Sequence, residues 1–326
     1  MEKNEINEKN EDISNILKEK YKYSNNVNFK NYFHLNEKGI YILHNQYSCS
    51  YIIKHNISSN IFLALKHAST GEGYIFDKQN KLYIKSHSQM ISKLLIDYKN
   101  NYLISCSYDK NINIYDLSKM NKTSNILNTL KGHKGRIYDM DLVENKDELL
   151  SCGMDKIILL WYIKNFTLIK QIYLNSSIHN LMVKYLCIND IYKENEVNEV
   201  IFIYSKNQII YFINFNSCEI IEKNNINSNV GSVLLMNNEE YIYQNKKSLN
   251  IIIFNFKMKK NIGTLVGCKN NIQIMQKSIN DDKIISYDSG NNIKIWNYIK
   301  FFCELTIKID FVLYNIFIDE NGDLIC

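Results

Sequence analysis

Three segments of the chain share one spacing of polar and aromatic residues, and a repeat of that kind constrains the fold more than composition does. Residues 103–116 read Leu-Ile-Ser-Cys-Ser-Tyr-Asp-Lys-Asn-Ile-Asn-Ile-Tyr-Asp, and 149–162 read Leu-Leu-Ser-Cys-Gly-Met-Asp-Lys-Ile-Ile-Leu-Leu-Trp-Tyr. Residues 284–297 read Ile-Ile-Ser-Tyr-Asp-Ser-Gly-Asn-Asn-Ile-Lys-Ile-Trp-Asn. Ser105, Ser151 and Ser286 each precede Asp109, Asp155 and Gly290 by four residues, and these precede Tyr115, Trp161 and Trp296 by six. Upstream, His87, His133 and Cys268 each lie 18 residues before their serine. Runs such as 111–115, 157–161 and 292–296 are rich in β-branched and aromatic residues and are bounded by polar turn clusters, as strands are. Four short strands in a unit of roughly 40–45 residues is the arithmetic of a propeller blade.

On these residues the chain resembles the WD-repeat family, whose blade carries Gly-His, a strand Ser or Thr, a turn Asp and a closing Trp-Asp. Positions 131–163 match best, through Gly132-His133, Ser151, Asp155 and Trp161, with Tyr162 in place of the closing Asp. Positions 85–117 keep His87, Ser105, Asp109 and Asp116, with Tyr115 for Trp; positions 266–298 keep Ser286 and Trp296 but lack the His and both Asp. Phe76-Asp77, Tyr211 and Phe254-Asn255 are expected at the Trp-Asp place of three degenerate units. The resemblance implies an all-β fold, a β-propeller of seven four-stranded blades. Six units are expected from Tyr47 to Asp310, and the seventh is expected to close by pairing strands near 28–44 with others in the tail 311–326. Such closure would leave no open sheet edge. The domain organisation is then a charged, Asn-rich tail over 1–27, disordered or short-helical, and one propeller over 28–326. The polar stretch 193–199 reads as an exposed inserted loop.

Serine, histidine and aspartate together suggest nucleophilic catalysis, but an enzyme needs one nucleophile, not one per repeat. The resemblance implies a buried relay instead, with His87, Ser105, Asp109 and Tyr115, then His133, Ser151, Asp155 and Trp161, and finally Ser286 and Trp296 satisfying one another. Cys106 and Cys152, next to the strand serines, alternate to the opposite sheet face and are expected in the core. No catalytic residue is expected: phosphate-cradling glycine loops, the His-Glu-x-x-His motif and the Gly-x-Ser-x-Gly elbow are missing from the 326 residues. No cofactor and no metal are expected either. The eight cysteines never form Cys-x-x-Cys, and the other histidines lack metal-ligand spacing.

Function is therefore expected on a surface. WD-repeat proteins dock partners on the narrow top face, and their contact positions carry over here as Ser88, Met90 and Tyr108; Lys134, Arg136 and Met154; and Lys269, Asn271 and Ser289. Arg136 is the only arginine in the chain, and a guanidinium suits bidentate contact with carboxylate or phosphate. The expected role is a non-catalytic scaffold or adaptor binding proteins or peptides within a multiprotein complex. An alternative is an RNA- or ribonucleoprotein-associated factor in ribosome biogenesis or splicing. It is motivated by the net charge of 39 − 34 = +5 and by Lys134, Arg136 and Lys269. A propeller hydrolase would need a unique polar cluster in one blade, whereas the polar sets here repeat. The chain lacks the arginine that cullin-ligase receptors carry two residues after the closing Asp, where Ser118 stands, and the paired arginines of phosphoinositide-binding propellers. No apolar run approaches the ~18 residues of a membrane span, and the N-terminal residues lack a secretory apolar region. The cytoplasm or the nucleus is the expected location. Abundant Asn, Ile, Lys and Tyr have AT-rich codons, so Asn runs carry no functional reading.

Overall fold

The computed structural model describes residues 47–55, 60–120, 126–143, 146–174, 182–192, 197–205, 208–226, 228–236, 239–277, 283–309, 313, 316–318 and 324–325. Blade one comprises β1 (Tyr47–Lys54), β2 (Ile61–His67), β3 (Gly73–Asp77) and β4 (Leu82–His87). Blade two comprises β5 (Ile91–Asp97), β6 (Tyr102–Ser107), β7 (Asn111–Asp116) and β8 (Ile126–Lys131). Blade three follows with β9 (Ile137–Val143), β10 (Glu148–Gly153), β11 (Ile157–Tyr162) and β12 (Thr167–Tyr173). In blade four are β13 (Met182–Tyr192), β14 (Val197–Ser205), β15 (Ile209–Asn214) and β16 (Ile220–Asn225). Blade five holds β17 (Ser228–Leu235), β18 (Glu240–Asn245), β19 (Ile251–Asn255) and β20 (Lys260–Leu265). Blade six holds β21 (Ile272–Lys277), β22 (Lys283–Asp288), β23 (Asn292–Asn297) and β24 (Phe302–Lys308). Every sheet is an antiparallel meander whose strands pair in chain order.

The expectation of seven four-stranded blades is corrected to six among the described residues. After β24 the described residues add β25 (Phe317–Ile318) paired with β26 (Leu324–Ile325), and two two-residue strands cannot make a blade. The expected closing strands at 28–44, the tail 1–27 and positions 193–196 lie outside the described residues, while 197–199 belong to β14 rather than to a loop. The first strand of each sheet is innermost: β1 packs on β5, β5 on β9, β9 on β13, and β17 on β21.

Sheets must bury their apolar faces, and here each does so against the next sheet. Ile104, Ile112 and Leu130 of blade two pack with Leu149, Leu159 and Trp161 of blade three. Parallel clusters join blades one and two, three and four, four and five, and five and six. Side chains on both faces of β11 are buried against neighbours, so this central strand reads as a continuous apolar run, Ile-Ile-Leu-Leu-Trp. Blade six closes on Ile309, Leu313 and Ile316 of the C-terminal segment. Cys106 and Cys152 are fully buried, on the core-packed face expected for them. Burial pushes the Cys106 thiol up to about 12 and that of Cys152 well above the ordinary range.

Register assigns the degenerate units. Trp161, Tyr115 and Trp296 are each the penultimate residue of the third strand, next to a bulge; Phe254 occupies that place in β19, and Phe76 is penultimate in β3. In blade four the bulge falls at Ile213, so Ile213 rather than Tyr211 takes the tryptophan place. Among the described residues no helix is long and apolar enough to cross a membrane.

Candidate functional site

The repeat of the sequence is not the sheet. His87 ends β4 in blade one, whereas Ser105, Asp109 and Tyr115 belong to β6, the β6–β7 turn and β7 of blade two. His133 likewise follows β8 of blade two and meets Ser151 and Asp155 of blade three. Each relay therefore clamps the outer strand of one blade to the next.

In the third blade Trp161 Nε1–H donates to Ser151 Oγ at 2.8 Å, and Ser151 Oγ lies 2.9 Å from His133 Nε2. An indole N–H only donates, so the serine accepts there and its own O–H is free to donate to His133 Nε2. Nδ1–H then donates to Asp155 Oδ2 at 2.9 Å. Asp155 also accepts the backbone N–H groups of Lys134 at 2.7 Å and Gly135 at 3.3 Å. Burial alone would raise the Asp155 carboxyl, but His133 and these amides hold it below the usual carboxylate range. Gly132 supplies the room, since a Cβ there would stand 2.9 Å from the Trp161 ring.

Blade two repeats the set with one exchange. His87 Nδ1 lies 2.9 Å from Asp109 Oδ2, and His87 Nε2 lies 2.8 Å from Ser105 Oγ. The Tyr115 hydroxyl, however, bonds Ser86 Oγ, which itself stands 3.4 Å from Ser105 Oγ. Asp116 turns outward, accepting from Ser118 N at 3.0 Å and pairing with Lys119. Blade six keeps the Trp296 Nε1–H to Ser286 Oγ bond at 2.8 Å. Its missing turn carboxylate is supplied from two residues upstream. Asp288, 3% exposed, accepts Gly290 N at 2.8 Å and Asn292 Nδ2 at 2.9 Å. Sequence matching by motif passes over it because it stands at the position of Ser107 and Gly153.

The nine positions expected to dock partners lie on loops and turns at one end of their blades. Tyr108 N–H donates to Met90 O at 3.0 Å, Met154 N–H to Arg136 O at 2.7 Å, and Ser289 N–H to Asn271 O at 2.9 Å. Ser88, Lys134, Arg136, Met154, Lys269, Asn271 and Ser289 are exposed, and Met90 and Tyr108 are half-buried. The structure brings blades two and three into direct contact here: the Arg136 guanidinium carbon lies 5.2 Å from the Tyr108 ring centroid. Tyr108 in turn meets Tyr138 edge-to-face at 5.6 Å. Lys269, Asn271 and Ser289 belong to blade six.

Two features went unread in the sequence. Lys110 and Lys156, in the left-handed position of the two turns, add exposed cations beside Tyr108 and Met154. Deeper, Lys93 Nζ bonds Asp139 Oδ1 at 2.6 Å between the innermost strands β5 and β9, with side chains only 10% and 11% exposed. Burial works against the Lys93 charge, yet Asp139, Tyr51 and Asp141 keep it protonated beyond the ordinary lysine range. The signal was present, since 139 − 93 equals 133 − 87, so a charge recurs at one repeat position inside apolar strands. Among the described residues no three potential ligands are placed to hold a metal ion.

The WD40 family profile, described as WD domain, G-beta repeat, matches residues 78–116 and 124–162, the two relay-bearing segments. The chain is 30% identical over 79 residues to protein transport protein SEC13-2 of Candida glabrata, spanning 23% of this chain and 26% of that one. It is 28% identical over 103 residues to the RbAp48-related WD40 repeat-containing protein prw1 of Schizosaccharomyces pombe, covering 31% of this chain and 22% of that one. It thus spans about a quarter of the length of the curated relatives it matches. The structure of U3-55K is similar over 86% of this chain and 88% of that one, with TM-score 0.66 and 13% identity, a likeness of fold.

Proposed function

We propose that this chain, with WD repeats at 78–116 and 124–162 in a propeller frame, is a non-catalytic scaffold that docks a protein or peptide partner on the loop face. The observation that carries this reading is the division of labour among its polar residues. The histidines, serines and aspartates of the two full relays face inward and are spent on one another; the His87 and His133 side chains are fully buried. The side chains at the loop end include exposed cations and Met154, half-buried Met90 and Tyr108, types suited to adaptable contact and hot spots, beside exposed Ser88, Asn271 and Ser289. Partners within a larger assembly, in the cytoplasm or nucleus, suit such a surface.

The test is affinity capture of the full chain from native cells, beside the double variant Lys134→Ala, Arg136→Ala, each with and without ribonuclease. Loss of a defined partner set in the variant, with ribonuclease indifferent and thermal unfolding unchanged, is the expected result. Partners retained by the variant would place docking elsewhere. Partners released by ribonuclease would favour the ribonucleoprotein reading, because phosphate contacts rather than protein contacts would then hold them.

A further inference from the structure

We infer that the junction of blades two and three is a receptor for an acidic peptide segment, with Arg136 as the carboxylate fork; this rests on the loop face being the docking face.

The charge balance of the junction is set by the relays. Asp109 and Asp155 adjoin Lys110 and Lys156 in the chain and are bound inward, and Asp139, the acid nearest Arg136 in the chain, pairs with Lys93. Asp155 is bound by His133 Nδ1 and by the Lys134 and Gly135 amides, and Asp109 by His87 Nδ1 and by the amides of Ser88 at 3.1 Å and Asn111 at 3.0 Å. What remains in solvent is Lys110, Lys134, Arg136 and Lys156, none of which has an acidic partner among the described residues. Hydrogen bonding leaves the charges of Asp109 and Asp155 in place, so a carboxylate arriving from outside meets four exposed cations set against two inward-held carboxylates, an excess of 4 − 2 = +2.

Arg136 is also oriented. Its guanidinium rests against the Tyr108 ring at 5.2 Å, and Tyr138 holds that ring edge-on at 5.6 Å. A guanidinium held over a ring face uses its charge there and not its N–H groups, and no side-chain hydrogen bond occupies its N–H fork among the described residues. Less rotamer freedom is then lost when a carboxylate binds bidentately. Met154, 43% exposed, and half-buried Met90 flank the fork with adaptable apolar surface, so acidic residues interspersed with apolar ones fit better than a purely acidic run. RNA fits less well. Base stacking needs a free aromatic face, and here one face of Tyr108 is taken by Arg136 while Tyr138 abuts the ring.

The probe is an array of twelve-residue peptides bearing Glu or Asp among Leu, Met and Phe. Each has a Gln/Asn-matched twin, with phosphoserine peptides and oligouridine as further arms, and the tightest binder is titrated by fluorescence anisotropy against the full chain. Carboxylate peptides are expected to bind over their amide twins. Arg136→Ala should weaken them by roughly tenfold to a hundredfold, the range for hydrogen bonds to charged groups. Arg136→Lys should fail to restore binding, because it keeps the charge and loses the fork. Tyr108→Phe should bind as wild type and Tyr108→Ala should not, while Lys300→Ala, on the β23–β24 turn, serves as the neutral control. Equal binding of acid and amide twins, or a preference for phosphoserine peptides or oligouridine alone, overturns the carboxylate assignment. Full rescue by Arg136→Lys overturns the fork. If cellular partners are lost on Arg136 substitution yet the acid twins show no preference, the docking face stands and its acidic ligand falls.

Discussion

Replacing Ser151 with Ala tests the relay most sharply, because one oxygen serves two buried groups. Ser151 is fully buried, accepts from Trp161 Nε1 at 2.8 Å and lies 2.9 Å from His133 Nε2. Alanine fits the space but leaves an indole N–H and an imidazole nitrogen with no partner. An orphaned buried polar group costs about 1–3 kcal/mol, so the two together predict a loss of roughly 2–6 kcal/mol. That is a large part of a typical stability of about 5–15 kcal/mol. The same change is graded elsewhere by geometry. Ser286→Ala orphans only the Trp296 N–H, and Ser105→Ala only the His87 Nε2, because Tyr115 bonds Ser86. Each should therefore cost about 1–3 kcal/mol. Urea unfolding read by tryptophan emission suits the comparison, since the only two tryptophans are Trp161 and Trp296, both in relays. The midpoint should fall most for Ser151→Ala with the slope unchanged. If Ser151→Ala lies within about 0.5 kcal/mol of wild type, the range of ordinary surface changes, or costs no more than Ser286→Ala, the satisfaction reasoning is refuted.

Further expectations concern pH, thiols and the buried ion pair. Asp109 and Asp155 titrate below the usual carboxylate range in the fold, against about 3.9 when unfolded. The stability they confer is thus complete above the unfolded value and lost as pH falls through the folded one. The thermal midpoint should drop steeply below about pH 4, and Asp155→Asn should flatten that slope while lowering the neutral-pH midpoint. Cys106 and Cys152, fully buried with raised thiol pKa, should resist iodoacetamide at pH 8 in the native state and react on denaturation, read by peptide mass. Lys93→Met should destabilise by about 3–5 kcal/mol by stranding Asp139, and Lys93→Met with Asp139→Leu should recover most of that loss. Chemical denaturation of the single and double variants measures the recovery.

The strand content and the blade pitch were legible in the chain itself, whereas the relay was an implication of the family resemblance. A single spacing from serine to turn acid to ring recurs, and it encodes hydrogen-bond geometry that any copy of the unit must satisfy. Burial of Cys106 and Cys152 followed from strand alternation alone. Blade number was less legible, because strand count near the C-terminus rests on pairing between distant segments rather than on local pattern. Motif matching likewise could not see that Asp288 replaces the absent turn acid, or that Ile213 and not Tyr211 holds the tryptophan place; register across neighbouring strands decides both. Nor could it show His87 clamping blade one to blade two, Lys93 meeting Asp139, or Arg136 lying on Tyr108. Those contacts join residues 22 to 46 positions apart on different sheets. Local propensity forms each strand, but which side chains face one another across a blade junction depends on how the sheets pack.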